Sequence, residues 1–330
     1  MVGWDGSPTT LALIAEVGLT SHPTSVAREP NVHPLIEELT SAGPVVTDGS
    51  WGVLLQQRGL AAGACPDELN LSDPDKVEGV AREYVEAGSQ IILTNTFGAN
   101  RFILSRHGLA EKVAEINRAG VEISRRAAAG RARVFASIGP SGVLLMTGEV
   151  TEEELKAAFA DQVAAVAEAG PDGIVVETMS DPAEARAAVV AARTTGLPVV
   201  GCLVFDSGAD NDRTMMGTTP EQAVEQLTDA GADCIGANCG QGIAGFPAIC
   251  RRLHQATDRP IWIKANAGLP KVVDGRTVFE QTPEQFAEYV PQLVEAGAAF
   301  IGGCCGTSPD FVRAIREKLD SSACSSSHRL

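Results

Sequence analysis

The residues with the clearest chemical potential are two adjacent cysteines near the C-terminus, in Gly302-Gly303-Cys304-Cys305-Gly306-Thr307. Adjacent cysteines rarely form a disulfide with each other, because a disulfide requires a particular Cβ separation and torsion. Two neighbouring thiolates can instead bind one soft metal ion if the backbone bends sharply, and the flanking glycines permit such a bend. Burial of both cysteines as small core residues is the alternative that the pair alone leaves open.

A third cysteine, Cys239, favours the metal site. It ends the run Ile235-Gly236-Ala237-Asn238-Cys239, which is typical of a buried strand. Three thiolates leave one tetrahedral position of Zn²⁺ open, which is the pattern of a catalytic rather than a structural zinc site. Zinc in such a site would lower the pKa of a substrate thiol from about 8.5, so that the thiol binds as a nucleophilic thiolate. The sequence therefore predicts Cys239, Cys304 and Cys305 as metal ligands and catalytic residues for alkyl transfer to sulfur.

Eight short apolar runs that alternate with helices must bring these cysteines together. Four amphipathic helices end on glycine, at Gly88, Gly170, Gly231 and Gly297, and an apolar run follows each of them. Near-continuous apolar runs are typical of parallel strands that are covered on both faces. Eight strands alternating with eight helices over about 280 residues predict an α/β fold, a single-domain (β/α)8 TIM barrel at residues 43–319. An open doubly wound sheet is the alternative, but it would normally carry a glycine-rich phosphate loop after its first strand.

Composition narrows the class of protein. The 330 residues are 44% hydrophobic and carry a formal net charge of −16, which makes nucleic acid and anionic membranes poor partners. No apolar run approaches the roughly 20 residues of a membrane span, and no signal peptide is expected. The eight cysteines are spread over a long chain rather than densely spaced, so a reducing, cytoplasmic location is expected. Residues 1–42 are predicted to form an N-terminal extension with a short helix near 34–39, and residues 320–330 a disordered tail.

Acidic side chains follow two of the predicted strands. Asp48 follows the first strand and Glu177 the fourth, so both are expected at the C-terminal rim of the barrel, where barrel enzymes carry out their chemistry. They are suited to bind the ammonium group of an amino-acid substrate. A helix N-cap is the alternative role for Asp48. Cys239 is expected to face Cys304 and Cys305 across the rim, because only one strand separates the sixth strand from the eighth.

These segments together resemble the homocysteine S-methyltransferase family over roughly residues 43–319. The resemblance implies a zinc-bearing barrel that methylates homocysteine to methionine. It implies Cys239, Cys304 and Cys305 as the zinc ligands, and Asp48, Gly49 and Glu177 as the residues that hold the amino and carboxylate ends of homocysteine. Asn238 is assigned to substrate binding with them. The segments that carry the resemblance are Asp48-Gly49, Thr94-Asn95-Thr96-Phe97-Gly98, Glu177-Thr178, Gly236-Ala237-Asn238-Cys239, Asn266-Ala267-Gly268-Leu269-Pro270 and Gly302-Gly303-Cys304-Cys305-Gly306-Thr307.

Within the family, the segments 93–101 and 213–217 are most like short bacterial proteins described as betaine–homocysteine methyltransferases. The resemblance therefore implies betaine or a similar small onium compound as the methyl donor. Animal betaine enzymes surround the trimethylammonium group with aromatic rings, as cation–π attraction favours. The matching positions here, near Cys65, at Gly98 and at Thr178, are not aromatic, which leaves Trp51 or Phe97 as substitutes.

Two other functions stay open at this point. The segment 266–270 also resembles the homocysteine module of cobalamin-dependent methionine synthase, which implies methylcobalamin or methyltetrahydrofolate chemistry through a separate corrinoid protein. The second alternative is of another class: the barrel binds zinc or thiols without catalysing a reaction. The sequence also leaves open whether copies of the chain form a homo-oligomer.

Overall fold

The computed structural model describes residues 32–273 and 276–327. Eight parallel strands form one sheet, and two further strands pair antiparallel as a hairpin. All eight strands expected from the apolar runs are present. In chain order the strands are β1 (Val45–Val46), β2 (Ile91–Leu93), β3 (Arg133–Ile138), β4 (Gly173–Met179), β5 (Val199–Leu203), β6 (Cys234–Cys239), β7 (Ile261–Ala265), β8 (Lys271–Val273), β9 (Arg276–Val278) and β10 (Ala298–Gly303).

The parallel sheet closes into a barrel. Its strand order is β1-β10-β7-β6-β5-β4-β3-β2, so each strand lies beside its neighbour in the chain apart from the inserted hairpin. The two end strands meet through a parallel bridge between Thr47 and Ile91, and the amide of Gln90 donates to the carbonyl of Val46 at 2.8 Å. The predicted (β/α)8 barrel is confirmed, and the open doubly wound sheet is wrong.

The helices cover the outside of the sheet and begin where the cap residues predict. Thr151, Thr219 and Thr282 each form a reciprocal capping box with the residue three positions later. The helices are α1 (Pro34–Thr40), α2 (Gly52–Gln57), α3 (Leu69–Ser72), α4 (Pro74–Glu86), α5 (Arg101–Ser105), α6 (Val113–Ala128), α7 (Glu152–Glu168), α8 (Pro182–Arg193), α9 (Pro220–Ala230), α10 (Phe246–Ala256), α11 (Pro283–Ala287), α12 (Val290–Glu295) and α13 (Pro309–Ser327).

The inside of the barrel is filled by side chains, so it is a core and not a channel. Trp262 stacks on Phe135 with ring centroids 6.1 Å apart and packs against Phe300 at 4.9 Å. Cys202 and Cys234 belong to this inner cluster, so they are core residues. Because the interior is closed, chemistry must occur at the ends of the strands.

Helices near the two ends of the chain can be compared with the predicted domain boundaries. Helix α1 agrees with the short helix predicted near 34–39, while residues 1–31 of the predicted extension lie outside the described residues. Helix α13 continues to Ser327, past residue 319 where the predicted barrel ends, and residues 328–330 are again outside the described part. None of the helices in the described ranges combines the length and apolar character that a membrane span requires.

Candidate active site

Three cysteine side chains meet at the C-terminal rim of the barrel. The Sγ atoms of Cys239, Cys304 and Cys305 all lie within 4.8 Å of one another, and each residue is partly buried. Cys239 ends β6, whereas Cys304 and Cys305 follow β10, with β7 between these two strands. The juxtaposition predicted from strand order is therefore confirmed. Within residues 32–273 and 276–327 it is the only group of three such side chains arranged to hold a metal ion.

Unusual backbone conformations determine where these sulfur atoms lie. Cys239 has a φ of +66°, a left-handed conformation that few residues other than glycine adopt, and this turns the chain at the end of β6. Gly302 and Gly303 matter for a different reason, because a Cβ at these positions would lie 1.9 Å from Thr47 Oγ1 and 2.2 Å from Thr307 Oγ1. The two glycines before the cysteine pair thus allow the backbone to approach Thr47 and Thr307 closely. Gly306, after the pair, has a φ of +82° and bends the chain.

Asn266, at the end of β7, joins the two cysteine loops. Its side-chain NH2 donates to the carbonyl of Gly240 at 2.7 Å and lies 3.5 Å from Cys239 Sγ. Its Oδ1 accepts a hydrogen bond from the backbone amide of Cys305 at 2.9 Å. The sequence places Asn266 only in a segment that resembles the family. The structure adds that it fixes the position of one loop relative to the other.

The cluster favours a negative charge. Hydrogen bonds from the thiols of Cys304 and Cys305 lower the pKa of Cys239 to about 3. The hydrogen bond to Cys239 is the main reason that the pKa of Cys305 rises to about 12, and it raises the pKa of Cys304 as well. Cys239 is therefore the sulfur of the cluster that most readily carries a negative charge, stabilised by its two neighbours.

The donor set of this cluster fits zinc. Sulfurs bound tetrahedrally at about 2.3 Å from zinc are about 3.8 Å apart, which is compatible with the separation of at most 4.8 Å in this cluster. Soft thiolate ligands select metals such as zinc over magnesium or calcium. Asn266 provides the kind of outer hydrogen bonding that orients metal ligands. Cys239, Cys304 and Cys305 are thus suited to hold zinc and leave a fourth position open.

Asp48 is part of a buried ion pair. It is 0% exposed, and its Oδ1 accepts from the ammonium group of Lys264 on β7. Its Oδ2 accepts from the indole N–H of Trp51 at 2.8 Å and from the backbone amide of Leu93 at 2.7 Å. The N-cap position of α2 is Trp51 and not Asp48, so the alternative role of Asp48 as a helix N-cap is wrong. A carboxylate has about four acceptor positions, and three of those on Asp48 are used.

Glu177 offers a more open carboxylate at the end of β4. It is 7% exposed, and its Oε1 accepts from the hydroxyl of Ser137 at 2.6 Å. Its Oε2 has only a long contact of 3.5 Å with the side-chain NH2 of Asn238. Burial raises the pKa of Glu177, while the ammonium group of Lys264 and the Ser137 hydroxyl oppose this rise. Glu177 is therefore a buried acceptor with free capacity.

Asn238 holds the end of β4 in a strained shape. Thr178 has a φ of +63°, which is an outlier for a β-branched residue. The Asn238 side chain accepts from the Thr178 amide and donates to the Thr178 hydroxyl, both at 2.7 Å. It also lies 3.7 Å from Cys304 Sγ. Asn238 thus links the acidic side of the site to the cysteine cluster.

The structure places the remaining predicted residue beside this network. Gly49 follows Asp48 and has no room for a side chain, because a Cβ would lie 2.6 Å from Thr307 Oγ1 and 2.8 Å from the Tyr84 hydroxyl.

Sequence reasoning missed Lys264 and Ser137. Lys264 had a signal, because it is a charged residue at the end of the apolar run Ile261-Trp262-Ile263. Ser137 had none, since serine is common at strand ends.

Comparison with known proteins finds similar chains. The methionine synthase of Mycobacterium leprae is 29% identical over 289 residues, which are 82% of this chain and 24% of that protein. The chain thus spans about a quarter of the length of that relative. Betaine–homocysteine S-methyltransferase 1 of Bos taurus is 28% identical over 308 residues, covering 86% of this chain and 74% of that enzyme.

A solved structure and a family model complete the comparison. The metallated form of the homocysteine methyltransferase MmuM from Escherichia coli has the same fold, with a TM-score of 0.72 and 23% identity over 88% of this chain and 100% of that one. Residues 45–319 match the family model described as homocysteine S-methyltransferase. This chain belongs to the homocysteine S-methyltransferase family.

Proposed function

We propose that this protein is a zinc-dependent methyltransferase that transfers a methyl group to the sulfur of homocysteine and forms methionine. The observation that carries the proposal is the cluster of three cysteine sulfurs beside a buried carboxylate, Glu177, at the C-terminal rim of the barrel. A thiol group and an ammonium group are the two ends of homocysteine. The rim offers a partner for each of them.

The residues of the site divide between these two ends. Cys239, Cys304 and Cys305 would hold zinc, which when bound would keep the substrate sulfur as a thiolate. The free Oε2 of Glu177 and the one remaining acceptor position of Asp48 would receive the substrate ammonium group. Gly49 is proposed, from the family resemblance, as the residue that holds the carboxylate. Both ends of the Asn238 amide are bound to Thr178, so we assign Asn238 to positioning rather than to direct contact.

We propose betaine or a similar small onium compound as the methyl donor. The support is the similarity to bovine betaine–homocysteine S-methyltransferase 1 over 74% of that enzyme. Two aromatic side chains stand at this rim. Phe97 is 41% exposed and covers Gly139, where a Cβ would lie 2.6 Å from the ring. Trp51 is held by its hydrogen bond to Asp48. Phe97 is the better candidate to face a cation, because its ring is accessible.

One observation favours a second donor, a methylated corrinoid carried by a separate protein. The loops that follow β3, β5 and β7 expose large apolar side chains on the same face as the cysteine cluster. A partner that covers the mouth of the barrel would bury them. The most exposed of them are Met146 at 78%, Met215 at 62%, Leu269 at 55%, Leu144 at 48% and Met216 at 46%.

The test is methionine formation by zinc-loaded protein and homocysteine, with betaine and methylcobalamin offered in separate reactions. Turnover with betaine supports the onium donor, and turnover only with methylcobalamin supports the corrinoid donor. The Cys304→Ala variant is the negative control. Binding of homocysteine without turnover under either condition would contradict the proposal and favour the non-catalytic barrel.

A further inference from the structure

A single positive charge is buried beneath the candidate active site. Lys264 lies on β7, one residue before the strand ends, and its side chain is 2% exposed. Among the side chains that the structure describes, it is the only buried lysine or arginine. A buried charge is costly unless it is paired, so its presence at this place needs an explanation.

The groups around Lys264 are acidic. Its ammonium group pairs with Asp48, and Glu177 and Cys304 are near enough to act on it. Burial lowers the pKa of Lys264, but the charges of Asp48 and Glu177 outweigh this effect, and the pKa lies above its usual value. Lys264 therefore stays protonated. Its ammonium group has three N–H donors, of which Asp48 takes one.

The proposed substrate makes this charge more important. Homocysteine that binds through its thiolate brings two negative groups and only one ammonium group, so it adds net negative charge to a pocket that already contains Asp48 and Glu177. Close negative charges in a buried site repel strongly unless a cation compensates them. Neither the indole N–H of Trp51 nor the amide of Leu93, which also bind Asp48, carries a charge. Lys264 is the residue positioned to provide this compensating positive charge.

We propose that Lys264 is a positioning residue for the amino-acid end of the substrate: its ion pair fixes the Asp48 carboxylate and offsets the negative charge of the pocket. This inference rests on the proposed function. It assigns Lys264 a role in homocysteine affinity beyond holding β1 to β7. An ion pair with a purely structural role exists for comparison at the other end of the barrel, where Arg193 binds the buried Asp233 at 3.0 Å.

The test compares two thiols on zinc-loaded protein by isothermal titration calorimetry, with zinc content measured for each variant. Homocysteine carries the ammonium and carboxylate groups, whereas 1-propanethiol has the thiol alone. We expect Lys264→Met to raise the Kd for homocysteine by about tenfold or more. The Kd for propanethiol should change by less than about twofold, since the cysteine cluster is unaltered. The matched control Arg193→Met should leave the ratio of the two Kd values unchanged.

Additional variants keep the test decisive if Lys264→Met folds poorly. The Asp48→Asn/Lys264→Met double variant leaves no unpaired charge and should fold, and its homocysteine Kd should be at least as high as that of Lys264→Met, because Lys264 acts through Asp48 and Asp48 itself is a proposed partner of the substrate ammonium group. Lys264→Arg, which keeps the charge, should retain part of the preference for homocysteine. Lys264→Met with an unchanged preference for homocysteine, or with equal losses for both thiols, would overturn the inference. Failure of the proposed function is a separate result, because wild-type protein itself would then bind homocysteine no better than propanethiol.

Discussion

Replacing Asp67 by asparagine should remove a pH-dependent loss of stability. Asp67 lies in the turn between α2 and α3 and is 3% exposed. Its Oδ1 accepts from the amide of Gly98 at 3.0 Å, and the thiol of Cys65 lies 3.8 Å from Oδ2. Burial raises the pKa of Asp67 from 3.8 to about 6, against the lowering effect of the Gly98 hydrogen bond. The folded protein therefore prefers the protonated carboxyl group.

The size and sign of the effect follow from this pKa difference. Between pH 3.8 and about pH 6 the folded state holds the Asp67 proton more tightly than the unfolded state does. Stability from this group is thus complete below pH 3.8 and is lost as the pH rises through about 6. The total loss is about 3 kcal/mol at pH 7, and about half of it has occurred by pH 5.

The assay is urea unfolding of wild type and Asp67→Asn between pH 4 and pH 7.5. Asparagine still accepts the Gly98 hydrogen bond but does not titrate, so the free energy of unfolding of wild type should fall relative to the variant by about 2.4 kcal/mol across this range. The exposed Asp75→Asn on α4 controls for the loss of one carboxylate. A difference between wild type and Asp67→Asn that stays constant from pH 4 to pH 7.5 would refute the reasoning.

The remaining predictions concern the rim. Cys304→Ala should lose zinc and activity while the barrel stays folded, whereas Cys250→Ala, a buried cysteine on α10, should keep zinc; metal analysis and circular dichroism check both. Normal turnover by zinc-free Cys304→Ala would contradict the mechanism. Glu177→Gln should raise the KM for homocysteine about tenfold or more by removing a charged partner, and an unchanged KM would make Glu177 purely structural. Oxidation should inactivate the protein through the partly buried cysteine cluster, and activity should return with reductant plus zinc but not with reductant alone.

The fold was predictable because the signals at the ends of single helices agree with the strand-and-helix alternation of the whole chain. Several helices start at a side-chain cap, such as Thr151, Thr219 and Thr282, and helix-to-strand joints carry glycine, as at Gly88 and Gly231, both of which adopt positive φ. The apolar runs then fix the number and order of the strands. The hairpin β8–β9 was not predicted, because its exposed residues, such as Val272 at 78%, carry no burial pattern. The dipeptide Asp274-Gly275 in the sequence is the signal that would have indicated a tight turn there.

The site was predictable only in part. The cysteines were found because thiol pairs at strand ends are rare, and Glu177 because an acid after an apolar strand is conspicuous. A search for basic residues at the ends of apolar strands would likewise have found Lys264, which ends the apolar run of β7. Its pairing with Asp48 was beyond the sequence, since these residues are far apart in the chain and meet only when the barrel closes. Hydrogen-bond roles such as that of Asn238 toward Thr178 also depend on distances that no local pattern encodes.

Strand register explains why three cysteines so distant in the chain meet at one point. Cys239 on β6 and Gly303 on β10 are both aligned with Ala265 on the strand between them. Cys304 therefore begins one residue above the level of Cys239, and its amide binds the carbonyl of Ala265 at 2.7 Å. Because side chains alternate between the two faces of a strand, a slip of one residue would turn the Cys239 sulfur away from the other two. The close packing of Gly302 against Thr47 opposes such a slip on β10, so the residues that close the barrel also determine the geometry of the cluster.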